Sequence, residues 1–286
     1  MTNSAETISI AVKIFAKTRT ARKGYLCLPM KQPHPHEQVL PYANSRKSKK
    51  DQVVEMFDQI AKRYDFLNHF LSARSDIKWR KRAIRYLKPD RPRVILDVAT
   101  GTADMAILAS RILRPDRIVG IDLSARMLEI GRKKVEKERL QSIVQLQEGD
   151  SETIKADENT FDGVMVAFGV RNFENLEKGL LEMLRVLKPG GRLVVLEFSR
   201  PRRRLVRNLY NLYMGIVAPG VARWFRQNKE AYQYLCESAN RFPDRQIFTD
   251  ILNKVGFTAT GYEPLSLGIC CIYHGRKPHP SGGAGA

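Results

Sequence analysis

"RVILDVATGTAD", residues 93 to 104, is the stretch whose reading decides the fold. An apolar run ends in Asp97, and small residues then lead through Gly101 into "ADMAILASRIL", whose apolar residues recur at helical spacing. That is a buried strand, a tight turn and a helix, the first unit of an alternating chain. Moving outward, "RIVGIDLS" is a strand, "ARMLEIGRKKVEKERL" a helix and "IVQLQEGD" a strand. "FDGVMVAFGV", "LEKGLLEMLRVL", a Pro-Gly-Gly turn and "RLVVLEFS" continue the alternation. Strands alternating with helices imply right-handed crossovers, hence an α/β fold with a doubly wound, mostly parallel sheet, here expected to have seven strands. Ligands of such sheets sit beyond the carboxyl ends of the strands.

Upstream, Val53, Phe57, Ile60, Ala61, Tyr64 and Leu67 recur at helical spacing and predict an amphipathic helix before the sheet. Downstream of Pro201 the alternation breaks into an Arg-dense, then aromatic, stretch, read as a helical lid inserted over about 202–242. A last helix near 244–255 and two closing strands, near 258–264 and 269–275, follow. Residues 1–48 read as a flexible basic extension and 278–286 as a disordered tail, leaving a catalytic domain over 49–277.

The chain has 286 residues and a formal net charge of +19. Residues 1 to 50 hold ten Lys or Arg against Glu6 and Glu37, so about +11 remains on the rest. Such a balance favours nucleic acid, anionic lipid or acidic ligands without choosing among them. No apolar run approaches the roughly 20 residues of a bilayer span. Cys27, Cys236, Cys270 and Cys271 lack zinc spacing, so a reduced compartment and no metal are expected, with Cys270 and Cys271 facing opposite ways along one strand. The extension is read as dispensable or as an over-called start, Met30 being an alternative, with an organellar transit peptide as the competing reading.

At the strand tips, Gly101 lets the backbone approach a ligand, while Asp97 and Thr102 can hydrogen-bond groups above the sheet. Asp122, about 21 residues after Gly101, can accept both hydroxyls of a ribose. That spacing alone does not separate a nicotinamide dinucleotide from S-adenosylmethionine. A dinucleotide loop wants G-x-G-x-x-G, and Ala103 and Ala106 stand at its second and third glycines, so the pyrophosphate cradle is poor. Asp150 and Ser151 end the third strand, where the carboxylate can accept from the amine of an adenine. Three polar strand tips, no phosphate cradle and the "LKPGG" corner together resemble class I S-adenosylmethionine-dependent methyltransferases.

Within that class, "MFDQIAKRYDFLNHFLS" with "WRKRAI", "AFGVRNFENLEKGLLEMLRVLKPGGRLVVLEFSRP", and "YQYLCESANRFPDRQ" with "GFTATGYEPLSLGICCIYHGRK" closely resemble the ubiquinone/menaquinone C-methyltransferase family over roughly residues 50 to 277. The resemblance implies methylation of a ring carbon of a polyprenylated quinol by S-adenosylmethionine, with cofactor positions at Thr102, Asp122, Asp150 and Ser151. Two departures stand out: Gly101-Thr102-Ala103 replaces the usual G-x-G, and "LSARSD" replaces a Leu-Gly-containing turn. The approach "YANSRKSKKDQV" resembles the bacterial menaquinone branch, so demethylmenaquinol is the expected substrate and a 2-polyprenyl-6-methoxy-1,4-benzoquinol the alternative.

Ring methylation needs an ionised hydroxyl to enrich the ortho carbon. Arg171, whose guanidinium is too weak a base to take a proton, is expected to stabilise the quinolate oxygen, with Asn172 orienting it. Tyr64 is the candidate to help the proton leave through water. The structural alternative for Arg171 is a salt bridge to Glu174 or Glu177, and for Tyr64 a place in the core. Arg200, Arg202, Arg203, Arg204 and Arg207, then Leu209, Tyr210, Tyr213, Met214, Ile216, Trp224 and Phe225, would suit an anionic membrane surface and a channel for the tail. The expected location is the cytoplasm, at the inner face of the membrane, or the mitochondrial matrix if the extension is a transit peptide. A homodimer is an allowed assembly. An RNA methyltransferase and a non-catalytic assembly component are the rival readings; no RNA-binding module or stacking aromatics among the basic residues support the first, so no nucleic-acid partner is expected.

Overall fold

The computed structural model describes residues 33–72, 74–208, 212 and 229–279. Seven strands form one sheet in the order β3-β2-β1-β4-β5-β7-β6. They are β1 (Val94–Val98), β2 (Arg117–Asp122), β3 (Val144–Glu148), β4 (Phe161–Ala167), β5 (Leu187–Phe198), β6 (Thr258–Leu265) and β7 (Cys270–Arg276). The helices are α1 (Lys49–Leu71), α2 (Ser75–Arg85), α3 (Asp104–Leu113), α4 (Ala125–Lys137), α5 (Leu176–Val186), α6 (Lys229–Arg241) and α7 (Gln246–Val255). β1 to β5 pair in parallel, and β7 enters antiparallel between β5 and β6.

Central β1 is buried on both faces, which is why "VILDV" is almost continuously apolar and not alternating. Ala83, Ile84 and Leu87, with Met105 and Ala106 of α3, pack on one face, and Leu180 and Met183 of α5 with Phe248 and Leu252 of α7 pack on the other. Cys270 belongs to the first core and Cys271 to the second, the opposite facing that strand alternation requires. Order reversal falls between β1, which pairs with β2 on one side, and β4 on the other. A crevice therefore opens at the carboxyl ends of these strands.

Three expectations change. Residues 33–48 are not a flexible extension but a strap held on the domain: His36 and Val39 are buried, and Val39 joins Val53, Met56 and Ile60 of α1 and Tyr234 of α6 in a third core. Fixing these residues costs chain entropy, against which stand Val39 buried on α1 and α6 and the hydrogen bonds from Lys49 to the His36 carbonyl and from Leu176 N to Glu37. The Pro-Gly-Gly corner is not a separate turn before β5; it lies inside the strand as an irregularity of its pairing with β4, with Gly190 at φ +76° and donating to the Lys277 carbonyl. At the other end the described residues run to His279, which lies against Gly190 and belongs to the packed domain. Of the lid, residues 204–208 are helical and α6 ends it. The predicted tail channel at Leu209, Tyr210, Tyr213, Met214, Ile216, Trp224 and Phe225, residues 1–32 and residues from Pro280 on lie outside the described residues.

Candidate functional site

The crevice is an open cleft between the strand tips and α1, the place where ligands of doubly wound sheets bind. Its floor is made by strand tips and its roof by α1, which contributes Val53, Val54, Phe57 and Tyr64.

The β1 turn carries its own supports. Gly101 has φ +57°, a left-handed conformation that a side chain would strain, and a Cβ added there would meet nothing nearer than Met127 at 3.8 Å. The backbone is thus open to a closely approaching ligand. Asp97 does not reach the crevice: it is 1 % exposed, and its Oδ2 accepts from Thr100 Oγ1 at 2.6 Å, closing the turn from beneath. Oδ1 has no hydrogen-bond partner among the described residues, and burial pushes this carboxyl up to about 7. Thr102 is also turned away. Its hydroxyl donates to Asp65 at 2.5 Å and accepts from Lys134 Nζ at 3.1 Å, so it ties α1 to the glycine turn instead of meeting a ligand. Lys134 also bridges to Asp65 and Asp104.

Asp122 lines the crevice and is held by two backbone amides, Gly101 N to Oδ2 at 2.8 Å and Ser124 N to Oδ1 at 2.9 Å. Burial raises its pKa while these amides pull the other way. Each oxygen keeps a lone pair for a further donor. At the β3 tip, Asp150 accepts from Glu152 N at 2.9 Å and from Lys50 Nζ of α1 at 2.7 Å, and Ser151 lies beside it in the wall.

A 3₁₀ turn over Val170–Asn172 follows β4. Arg171 is 3 % exposed, and its Nη1 donates to Glu197 Oε1 at 2.5 Å and to the Phe168 carbonyl at 2.9 Å. The guanidinium lies 5.4 Å from the centre of the Phe198 ring. Burial alone would lower its pKa, but Glu197, Tyr64 and Tyr234 together outweigh burial and the group is held above its usual value. Arg171, expected to stabilise the quinolate oxygen, is not among the residues that line the crevice, and its salt bridge is to Glu197, not to Glu174 or Glu177. Asn172 does line the crevice, its Oδ1 accepting from the Tyr234 hydroxyl at 3.2 Å and its Nδ2 3.5 Å from the Phe168 carbonyl. Tyr64 lines it too, edge-on to Phe57 at 5.6 Å.

Of the residues expected from sequence, Gly101, Asp122, Asp150, Ser151, Asn172 and Tyr64 meet in one cleft, while Asp97, Thr102 and Arg171 stand behind it. Glu197, Tyr234, Lys50 and Glu152 were missed. None carried a spacing that reveals its partner. Among the described residues no cluster of His, Cys, Asp and Glu could hold a metal, and no helix is long and apolar enough to cross a membrane.

The donor set fits S-adenosylmethionine: carboxylates for hydroxyls and amines, an open glycine backbone, and an Ala103 entry to α3 without a phosphate cradle. The sequence profile of the ubiE/COQ5 methyltransferase family matches residues 45–277. A demethylmenaquinone methyltransferase of Bacteroides fragilis is 43% identical over 244 residues, covering 85% of this chain and 99% of that protein. The ubiquinone/menaquinone biosynthesis C-methyltransferase of Geobacter sulfurreducens is 41% identical over 230 residues, covering 80% of this chain and 90% of that one. In fold the chain is similar to a S-adenosylmethionine-dependent methyltransferase of Thermotoga maritima, with TM-score 0.54 and 21% identity over 78% of this chain and 98% of that one. The chain belongs to the ubiE/COQ5 methyltransferase family, and it is a methyltransferase that uses S-adenosylmethionine.

Proposed function

We propose that this enzyme methylates a ring carbon of a polyprenylated quinol, with demethylmenaquinol as its substrate. The observation that carries the reading is a crevice with polar strand tips on one side and Val53, Val54, Phe57 and Phe173 on the other, next to the Asn172 amide. The 43% identity to the Bacteroides enzyme supports the naphthoquinol over the benzoquinol.

When bound, S-adenosylmethionine supplies an electrophilic methyl group on sulfur. Asp122 would hold its ribose, Asp150 and Ser151 its adenine, and Gly101 its close approach to the sheet. Asp97 and Thr102 keep the turn in shape from behind. The protein's part in the chemistry is to align the acceptor, exclude water and favour the ionised hydroxyl. Asn172 donates to that oxygen. Arg171, neutralised by Glu197, orders the turn that carries Asn172 and holds the Phe168 carbonyl. Tyr64, on the roof, guides the departing proton to water.

Incubation with labelled S-adenosylmethionine and either demethylmenaquinol or the methoxybenzoquinol tests this. Faster labelling of the naphthoquinol is expected; labelling of only the benzoquinol reverses the substrate assignment, and labelling of neither removes the function.

The exposed Arg200, Arg202, Arg203, Arg204 and Arg207, with Leu205 and Leu212 at 72% and 61% exposure, support docking on an anionic membrane where such quinols reside. Sedimentation with anionic vesicles should weaken with salt and on changing these arginines to Gln. Binding insensitive to both would refute it.

A further inference from the structure

Tyr234 belongs to no strand tip and to no cofactor motif. It sits on α6, the helix that brings the chain back from the insertion, and is 2 % exposed in the core shared by the strap, α1 and α6. A phenol buried this deeply needs a partner for its hydroxyl, and it finds one across the chain in Asn172 Oδ1, at 3.2 Å.

A side-chain amide can face either way, presenting an acceptor or two donors. At Asn172 the Phe168 carbonyl decides, and the Tyr234 hydroxyl, able to donate or accept, then donates to the oxygen and holds the amide in place. The Phe168 carbonyl can only accept; it already takes Arg171 Nη1 at 2.9 Å and lies 3.5 Å from Nδ2. Turning the amide over would set oxygen against oxygen there. On the opposite side the Tyr234 hydroxyl offers its proton, and Oδ1 is the atom in reach. Burial raises the phenol's pKa well above its ordinary value, so this donor does not titrate in the working range.

We propose that Tyr234 is a positioning residue for methyl transfer, its hydroxyl locking the Asn172 amide so that the nitrogen and not the oxygen meets the acceptor's oxygen. The inference rests on the reading that Asn172 faces an ionised ring hydroxyl. A donor at that point favours the phenolate over the phenol, which is the state whose ring carbon attacks. An amide free to turn would stabilise the protonated hydroxyl as readily and lose the preference. The same bond makes the returning helix part of the site: only with α6 docked is the amide fixed.

Tyr234→Phe removes the hydroxyl and keeps the ring. It should lower kcat ten- to a hundredfold with KM for S-adenosylmethionine changed less than twofold, and shift the acid limb of the kcat–pH profile upward. In an Asn172→Ala background the same change should alter kcat less than twofold, because its effect passes through the amide. Equal fractional losses in both backgrounds, or wild-type kcat in the single variant, overturn the proposal. A second readout needs no turnover: 1-naphthol bound to the protein, titrated by absorbance, should ionise about one pH unit lower in the wild type than in Tyr234→Phe. Equal values, or no binding, also overturn it. If the wild type methylates neither quinol, the functional reading falls, and the naphthol comparison alone decides the role of Tyr234.

Discussion

At the tips of β1, β2 and β3, each carboxylate has one partner close by in the chain, beside the longer reach of Asp122 to Gly101 N and of Asp150 to Lys50. Asp97 and Thr100 are three residues apart, and Asp122 with Ser124 and Asp150 with Glu152 two apart. At the tips of β4 and β5 the partners are distant: 26 residues separate Arg171 from Glu197, and 62 separate Asn172 from Tyr234. The first half rests on turn contacts within its own loops, to which the distant partners add. The second is assembled by tertiary packing, and it takes charged groups out of water to do so, so its integrity depends on both partners being present. A half built locally can tolerate loss of one member. A half built by distant pairs cannot.

The strongest way to break this comparison is Glu197→Ala. Glu197 is fully buried, and its removal leaves the Arg171 guanidinium without its counter-charge. Stability to urea should fall by roughly 3 to 5 kcal/mol. Replacing both residues, Arg171→Met with Glu197→Leu, should recover much of that loss while turnover stays low. A single variant within about 1 kcal/mol of the wild type would show that the pair is not held as described.

Asp97 gives the counterpart in the local half. Its carboxyl titrates near 7 when folded against an ordinary value of 3.8, so the folded protein holds a proton that the unfolded chain has released between these values. Stability from this group is full below about pH 4 and is lost as pH rises through 7. Asp97→Asn carries no such titration. The difference in unfolding free energy, wild type minus variant, should therefore fall by roughly 2 to 4 kcal/mol between pH 4 and pH 8. A flat difference would mean that Asp97 is already solvated or paired, and the turn's support lies elsewhere.

The same contrast explains what could be read from the chain beforehand. Element order and a mostly parallel sheet follow from periodicity, because the spacing of "VILDV" or "LEKGLLEMLRVL" is itself a record of which face is buried, whereas the antiparallel entry of β7 between β5 and β6 does not. Gly101, Asp122 and Asp150 were legible because a ligand beyond strand ends must meet whatever residue stands there. Arg171 and Thr102 were placed at the right tips, but nothing local says that Glu197 and Lys134 will engage their polar atoms. The strap was missed for a related reason. "PHPHEQVL", residues 33 to 40, has too few apolar residues to order by itself, and its order comes from surfaces of α1 and α5 that it meets only after folding.

That strap yields the smallest and most discriminating test. Glu37 Oε1 accepts from Leu176 N at 2.7 Å, at the first turn of α5, where Asn175 takes Lys178 N and Glu152 takes the amides of Glu174 and Asn175. Three segments distant in sequence thus share the free amides and positive end of one helix. Glu37 also helps keep Lys49 charged, whose amine burial brings down to about 8 while it donates to the His36 carbonyl. Glu37→Ala should cost about 1 kcal/mol and lower Tm by roughly 2 to 4 °C, because the other two caps remain. Since the strap packs on the roof helix and not on the strand tips, affinity for S-adenosylhomocysteine by calorimetry should change less than twofold. A larger loss of affinity at unchanged Tm would place Glu37 among the residues that shape the crevice, and would join the strap to the distant half of the site.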